Sequence, residues 1–193
     1  MLSSALHIAS RLQAPLSRRL LSTSPPPPSF NLLQKNEHFQ TLHCTRSYEA
    51  GDILSTVDGI PHPCADRFTV QTSKTDHVVL DPEFLRYTNH SCSPNVFFDL
   101  SGRQLVALKH IPANSEILFF YPSTEWSMEE PFECNCGSAR CKGSIQGAKF
   151  LPKEVVEEYR VADHIRVLKE EQSGQQRREE EEGGGGEREL SAV

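Results

Sequence analysis

No apolar run in the 193-residue chain approaches the ~18 residues that a membrane-spanning helix needs, so none is expected. Positive charge is also scarce. The formal net charge is −6, and because the first 29 residues hold Arg11, Arg18 and Arg19 but no acid, the remainder sits at −9. An acidic body argues against a phosphate-binding surface, and so against nucleic acid as a direct partner. It is compatible with a basic protein partner, although an ordinary solvated surface is the plainer reading. No secretory signal accompanies the six cysteines, which points to a reducing compartment rather than a disulfide framework. No internal repeat is visible, and the length suits one domain with a core, hardly two.

The first acidic residue is Glu37. Before it, Leu2, Leu6, Ala9, Leu12, Leu16 and Leu20 recur at near-helical spacing among arginines and serines. That is the composition of a mitochondrial presequence, and Arg19-Leu20-Leu21-Ser22 resembles a matrix-protease site cut after Leu21. The expected address is therefore mitochondrial. A nuclear or cytoplasmic one follows if this segment, interrupted by Pro15, is only a basic tail. Four prolines at 25–28 make a stiff spacer, so residues 1–29 read as presequence plus Pro-rich linker. At the other end, Glu179-Glu180-Glu181-Glu182 runs into four glycines, and residues 170–193 are expected to be a disordered acidic, glycine-rich tail.

Between these ends the signals are those of a mostly β chain with a few short helices. After a turn at Glu49-Ala50-Gly51-Asp52, residues 53–57 read as a strand, as do 77–80, Phe97-Phe98, 105–108 and 117–121. Residues 60–76 read as a polar connector. Residues 81–87 read as a helical turn with Asp81 as cap and Pro82 first. One C-terminal helix is expected over 151–169, opened by Pro152, with Val155, Tyr159, Ala162 and Ile165 on one face.

Chemistry concentrates in residues 86–143. Cys134, Cys136 and Cys141 share one short loop with Gly and Ser for tight turns. Zinc takes four tetrahedral ligands, so such a loop supplies three and needs a fourth from elsewhere. Cys92, in a turn context beside Pro94, is the natural candidate. Cys44 and Cys64 are left as ordinary buried thiols. A zinc-dependent nucleic-acid binder is disfavoured, since the loop contributes only Arg140 and Lys142.

Three motifs occur in a fixed order. Arg86-Tyr87-Thr88-Asn89-His90-Ser91-Cys92-Ser93-Pro94-Asn95 resembles the signature of SET-domain protein lysine methyltransferases. Glu116-Ile117-Leu118-Phe119-Phe120-Tyr121 resembles that family's catalytic-tyrosine strand, and Cys134-Asn135-Cys136-Gly137-Ser138-Ala139-Arg140-Cys141-Lys142-Gly143 its post-SET zinc motif. The resemblance implies a SET-domain β-clip-like fold with a knot-like crossing over residues 30–133, a post-SET zinc loop over 134–150, and no pre-SET cluster. It implies S-adenosylmethionine bound by Arg86, Asn89, His90 and Tyr121, with Tyr121 catalytic. Phe119 and Tyr121 would line a lysine channel, and a phenyl at 119 leaves room that favours di- or trimethylation. Zinc would be structural, on Cys92, Cys134, Cys136 and Cys141. The partner would be a protein, histone or not, offering a lysine on an extended segment beside a sheet edge.

Methyl transfer to lysine is an in-line displacement that needs a neutral amine, alignment and exclusion of water, with no strong base on the enzyme. A phenol with a pKa near about 10 orients without reacting. Two departures stand out. The family's glycine pair, which admits the methionine end of the cofactor, is replaced by Phe39 and Thr41. Phe120 stands where relatives carry Asp. They support an alternative: a catalytically inactive SET module serving as a zinc-stabilised peptide-binding or scaffold protein. Trp126 and Phe132 either line the pocket or pack in the core.

Overall fold

The structure, a computed structural model, describes residues 29–37 and 39–183. The presequence reading, His38 and the last ten residues of the expected tail lie outside them. In chain order the strands are β1 (Phe30–Asn36), β2 (Phe39–Cys44), β3 (Ile53–Thr56), β4 (Asp58–His62), β5 (Thr69–Gln71), β6 (His77–Asp81), β7 (Asn89–His90), β8 (Val96–Asp99), β9 (Gln104–Ala107), β10 (Leu118–Phe119), β11 (Phe132–Glu133) and β12 (Ser144–Ile145). Among the described residues two α-helices follow the strands, α1 (Lys153–Glu157) and α2 (Asp163–Gly183). The fold is mostly β, as the sequence pattern predicts.

The strands form small sheets rather than one large one. β1 and β2 make a hairpin, β3-β9-β8 and β4-β6-β5 are antiparallel three-stranded sheets, and β11 pairs with β12. Their inner faces meet in a core where Leu42, Leu85, Phe98, Leu105, Ile111 and Ile117 are fully buried. Burial of that apolar surface, at ~25 cal/mol per Å², is the main force joining sheets too short to persist alone.

The decisive pairing is parallel. β7 lies beside β10 in the register Leu118↔Asn89 and Phe119↔His90, and the Ser91 amide donates to the Phe119 carbonyl at 2.9 Å. Asn95 then fastens β10 from its other side. Its amide nitrogen donates to the Glu116 carbonyl and its amide oxygen accepts from the Leu118 amide, both at 2.8 Å. Two motifs distant in sequence thus become one site.

Several sequence expectations are corrected. Residues 60–76 are not a plain connector, because they contain most of β4 and all of β5, which flank β6 on either side. Gly59, Pro61 and His62 carry no alternating pattern, and β4 exists because Val78, Val79 and Leu80 of β6 give it a partner. The strand expected at 117–121 is reduced to β10, and Tyr121 opens a 3₁₀ turn, Tyr121–Ser123. Asp81 ends β6, and Pro82 takes the cap position of the 3₁₀ turn Glu83–Tyr87. Cys64 is exposed, whereas Cys44 is buried.

The single C-terminal helix is two. α1 ends at Glu157, a short link follows in which the Ala162 amide donates to the Ser123 carbonyl at 2.8 Å, and α2 begins at Asp163. α2 then runs through residues 170–183, which were expected to be disordered. Glu, Gln and Arg are strong helix formers, and Arg177/Glu181 and Arg178/Glu182 are opposite charges four apart. The first turns are anchored by fully buried Ile165 and by Lys169, whose Nζ donates to the Ala148 carbonyl at 2.9 Å.

Candidate active site and metal centre

The second hairpin strand, β7, β10, β5 and the loop around β11 surround a cleft of about 940 Å³. On one wall Asn89 is clamped, its side-chain amide donating to the Gln40 carbonyl at 3.0 Å and to Glu116 Oε1 at 3.1 Å. This ties β7 to β2 and to the residue that opens the tyrosine motif.

His90 is fixed by what each ring nitrogen meets. The Tyr121 amide donates to Nδ1 at 3.2 Å, and Nε2 lies 3.3 Å from Cys92 Sγ. An amide can only donate, so the imidazole proton belongs on Nε2, aimed at sulfur. Burial holds the imidazole down to about 4, so it is neutral at physiological pH.

Tyr121 sits in an aromatic cage. Its ring centroid is 4.7 Å from that of Phe119, 5.1 Å from His90 edge-on, and 5.9 Å from Phe132. The hydroxyl makes only a long contact, 3.4 Å, to the Thr88 carbonyl, and so remains available to a ligand. Burial pushes the phenol up to about 12, keeping it protonated. Phe119 itself is locked edge-on against Phe98 at 4.8 Å.

Arg86 reaches the same cleft but is already engaged. Nη1 pairs with Glu83 at 2.9 Å, Nη2 donates to the Tyr87 hydroxyl at 2.8 Å, and the buried Nε has no partner. Phe39 lines the cleft while Thr41 does not: Thr41 is buried, with its hydroxyl donating to the Leu33 carbonyl at 3.3 Å. Only one of the two positions that lack glycine therefore presents a side chain to the cleft.

The four cysteines converge. The sulfurs of Cys92, Cys134, Cys136 and Cys141 all lie within 4.8 Å of one another, with Cys92 and Cys134 3.9 Å apart. Tetrahedral zinc at ~2.3 Å from each thiolate separates its sulfurs by about 3.8 Å, so this donor set fits zinc and leaves no open position. Gly137 and Gly143 turn the loop at φ 69° and 74°, a conformation that side chains resist. β11 and β12 bracket it, and the Cys134 amide donates to the Gly143 carbonyl at 2.7 Å. Phe132, Cys134 and Cys136 form part of the cleft wall, so the cysteine loop shapes the pocket.

Phe120 points away from the cleft. It is buried and stacks on Tyr159 with centroids 3.8 Å apart and planes 10° from parallel. The Tyr159 hydroxyl donates to the Cys92 carbonyl at 2.9 Å. This aromatic pair joins the segment that carries Tyr121 to the C-terminal segment.

A SET domain family model matches residues 9–122, more than half of the chain. The methyltransferase flvH of Aspergillus flavus is 37% identical over 122 residues, covering 62% of this chain and 68% of that protein. The chain belongs to the SET domain family. The H3 lysine-9 specific histone-lysine N-methyltransferase SUVH1 of Nicotiana tabacum is 37% identical over 68 residues, which are 30% of this chain and 10% of that protein. The chain thus spans about two thirds of flvH and about a tenth of SUVH1. A crystal structure of KRYPTONITE in complex with mCHH DNA, H3(1-15) peptide and SAH aligns over 60% of this chain and 29% of that one, at 17% identity and a TM-score of 0.48.

In this SET domain Arg86, Asn89, His90, Phe119 and Tyr121 all border one cleft, and the four cysteines meet at its edge. Phe132 lines the cleft as well. Trp126 instead packs under the C-terminal helices, its ring 5.4 Å from Lys169 Nζ. Sequence reasoning missed Glu125. It lies four residues after Tyr121 with no motif around it, and only the fold shows that it reaches the cleft.

Proposed function

We propose that this SET domain is an S-adenosylmethionine-dependent protein-lysine N-methyltransferase carrying a structural zinc. The observation that carries the reading is Tyr121, a neutral phenol with an uncommitted hydroxyl between the Asn89–His90 wall and the Phe119 ring. When bound, S-adenosylmethionine supplies an electrophilic methyl group on a positively charged sulfur. Asn89 and His90 hold the cofactor side of the cleft, and their hydrogen bonds fix that wall before any ligand arrives. Tyr121 orients the amine, while Phe119 and Phe132 keep water out, so alignment does most of the work. An extended lysine-bearing substrate segment lies along the cleft that β5 borders.

Calorimetry with S-adenosylmethionine on the zinc-loaded full chain tests the cofactor step. Saturable binding, weakened tenfold or more in Asn89→Ala, is expected. A second reading, an inactive SET module that binds peptides, is favoured by the Phe39 ring, 45% exposed on the cleft wall. Absence of binding by folded, zinc-replete protein would select it. For the active enzyme, the phenyl at Phe119 favours di- and trimethylated product, and mass spectra showing monomethyl-lysine alone would refute that. The proposed address is mitochondrial, and imaging the full chain fused to a fluorescent protein at its C-terminus checks it.

A further inference from the structure

Glu125 is placed unlike the other acids bordering the cleft. Glu129, Glu130 and Glu133 are exposed, whereas Glu125 is mostly enclosed. Its Oε1 accepts from the Gln71 amide on β5 at 3.0 Å and from the Thr124 hydroxyl at 3.1 Å. Its backbone is fixed too: its amide donates to the Tyr121 carbonyl at 3.0 Å and its carbonyl accepts from Ala148 at 2.8 Å. Oε2 has no partner among the described residues. Among the described residues no Lys, Arg or His forms an ion pair with this carboxylate. Arg86, which also borders the cleft, is held by Glu83 and Tyr87.

An enclosed carboxylate with one uncommitted oxygen, beside a catalytic phenol, asks for a cation from outside. We propose that Glu125 binds the substrate lysine as its ammonium ion and takes a proton from it before methyl transfer. In that step an N–H bond of the ammonium breaks and an O–H bond forms on the carboxylate. The electron pair stays on nitrogen as the lone pair the displacement needs. The proton returns to solvent when product leaves. The inference rests on the methyltransferase reading and names the group that prepares its nucleophile.

The electrostatics agree. Burial pushes the Glu125 carboxyl up to about 7, against the hydrogen bonds from Gln71 and Thr124 that pull it down. The same desolvation lowers a lysine entering the cleft, so the two groups approach each other in acidity. The charged groups that act on the phenol are Arg67 from the β4–β5 loop, Glu125 itself and Glu116 beside β10, with neutral His90 behind Tyr121. Arg67 pulls the phenol down, whereas Glu125 and Glu116 push it up.

The test uses the zinc-loaded full chain with n-butylammonium as a probe for the lysine side chain, alongside rates of methyl transfer to a pool of peptides with one central lysine. We expect saturable n-butylammonium binding that Glu125→Gln weakens at least tenfold, with S-adenosylhomocysteine binding unchanged. Glu157→Gln, on α1 and outside the cleft lining, should leave both within twofold. In the rate profile, the rising limb near pH 7 should move at least one pH unit higher in Glu125→Gln. A peptide bearing S-aminoethylcysteine, a more acidic amine, should recover part of the lost rate. Unaltered n-butylammonium binding in folded Glu125→Gln overturns the proposal, as does a rate loss equal at every pH. Amine binding at Glu125 without any methyl transfer would uphold lysine recognition and remove the enzyme reading instead.

Discussion

Tyr121 and Glu125 stand four residues apart and reach the cleft by different routes, one legible in the sequence and one not. Tyr121 belongs to a motif, and its hydroxyl has only a 3.4 Å contact to lose. Tyr121→Phe should therefore change unfolding free energy by less than about 1 kcal/mol. It should nevertheless lower methyl transfer on the order of 100-fold through lost alignment, with cofactor affinity by calorimetry little altered. Glu125 carries no such signature, because its surroundings come from Gln71, far off in sequence on a strand the pattern did not reveal. Its acidity has a consequence for stability. The folded carboxyl titrates near 7 against a usual 4.5, so between those values the folded state holds a proton that the unfolded chain has released. Stability from this group is thus present at low pH and lost as pH rises from about 5 to 7. The stability difference between wild type and Glu125→Gln should shift in favour of the variant by on the order of 1–3 kcal/mol across that range, measurable by urea titration at each pH. An unchanging difference would mean that Glu125 is solvated like any surface acid.

At the level of elements, hydropathy patterning revealed β3, β6, β8 and β9, whose apolar residues alternate or run together, and it failed where pairing rather than pattern makes a strand. β4 and β5 owe their existence to β6, and β10 shrinks to two residues because Asn95 and β7 occupy both of its edges. The C-terminal helix was legible as an apolar face, but its division was not, since the link at 158–162 is fixed by Ser123 and by the Phe120–Tyr159 stack. That stack is a joint. It connects the tyrosine strand to the C-terminal segment, and the Tyr159 hydroxyl ties both to the backbone of Cys92. Tyr159→Phe keeps the stack and loses one hydrogen bond, so a cost of about 1 kcal/mol is expected. Tyr159→Ala empties the site and should cost about 3 kcal/mol or more. Zinc transfer to a chromogenic chelator should be clearly faster in Tyr159→Ala and near wild type in Tyr159→Phe. Equal rates in all three proteins would show that the joint does not support the metal loop.

For the whole molecule, the cysteine cluster couples regions that the sequence keeps apart: Cys92 leaves the β7 crossing, and the other three belong to the loop forming the opposite cleft wall. Structural zinc contributes about 10–16 kcal/mol where it organises a small domain, but this chain also has two packed cores that contain none of the four clustered cysteines. One is the sheet core around Leu42, Phe98 and Ile117; the other, around Ala148, Val156, Ala162 and Ile165, packs without any thiol. Phe120 and Ile145 pack instead with the cysteines themselves. Chelation should therefore release the metal wall selectively rather than unfold the chain. Hydrogen exchange after treatment with a strong chelator should show amides of residues 132–146 losing protection by several orders of magnitude, while β8, β9 and the first turns of α2 keep theirs. Cofactor binding should fall in parallel with zinc content, because the cleft loses Phe132, Cys134 and Cys136 together. Global loss of protection would instead mean that neither core stands without the metal, and that zinc is a condition of the fold rather than of the cleft.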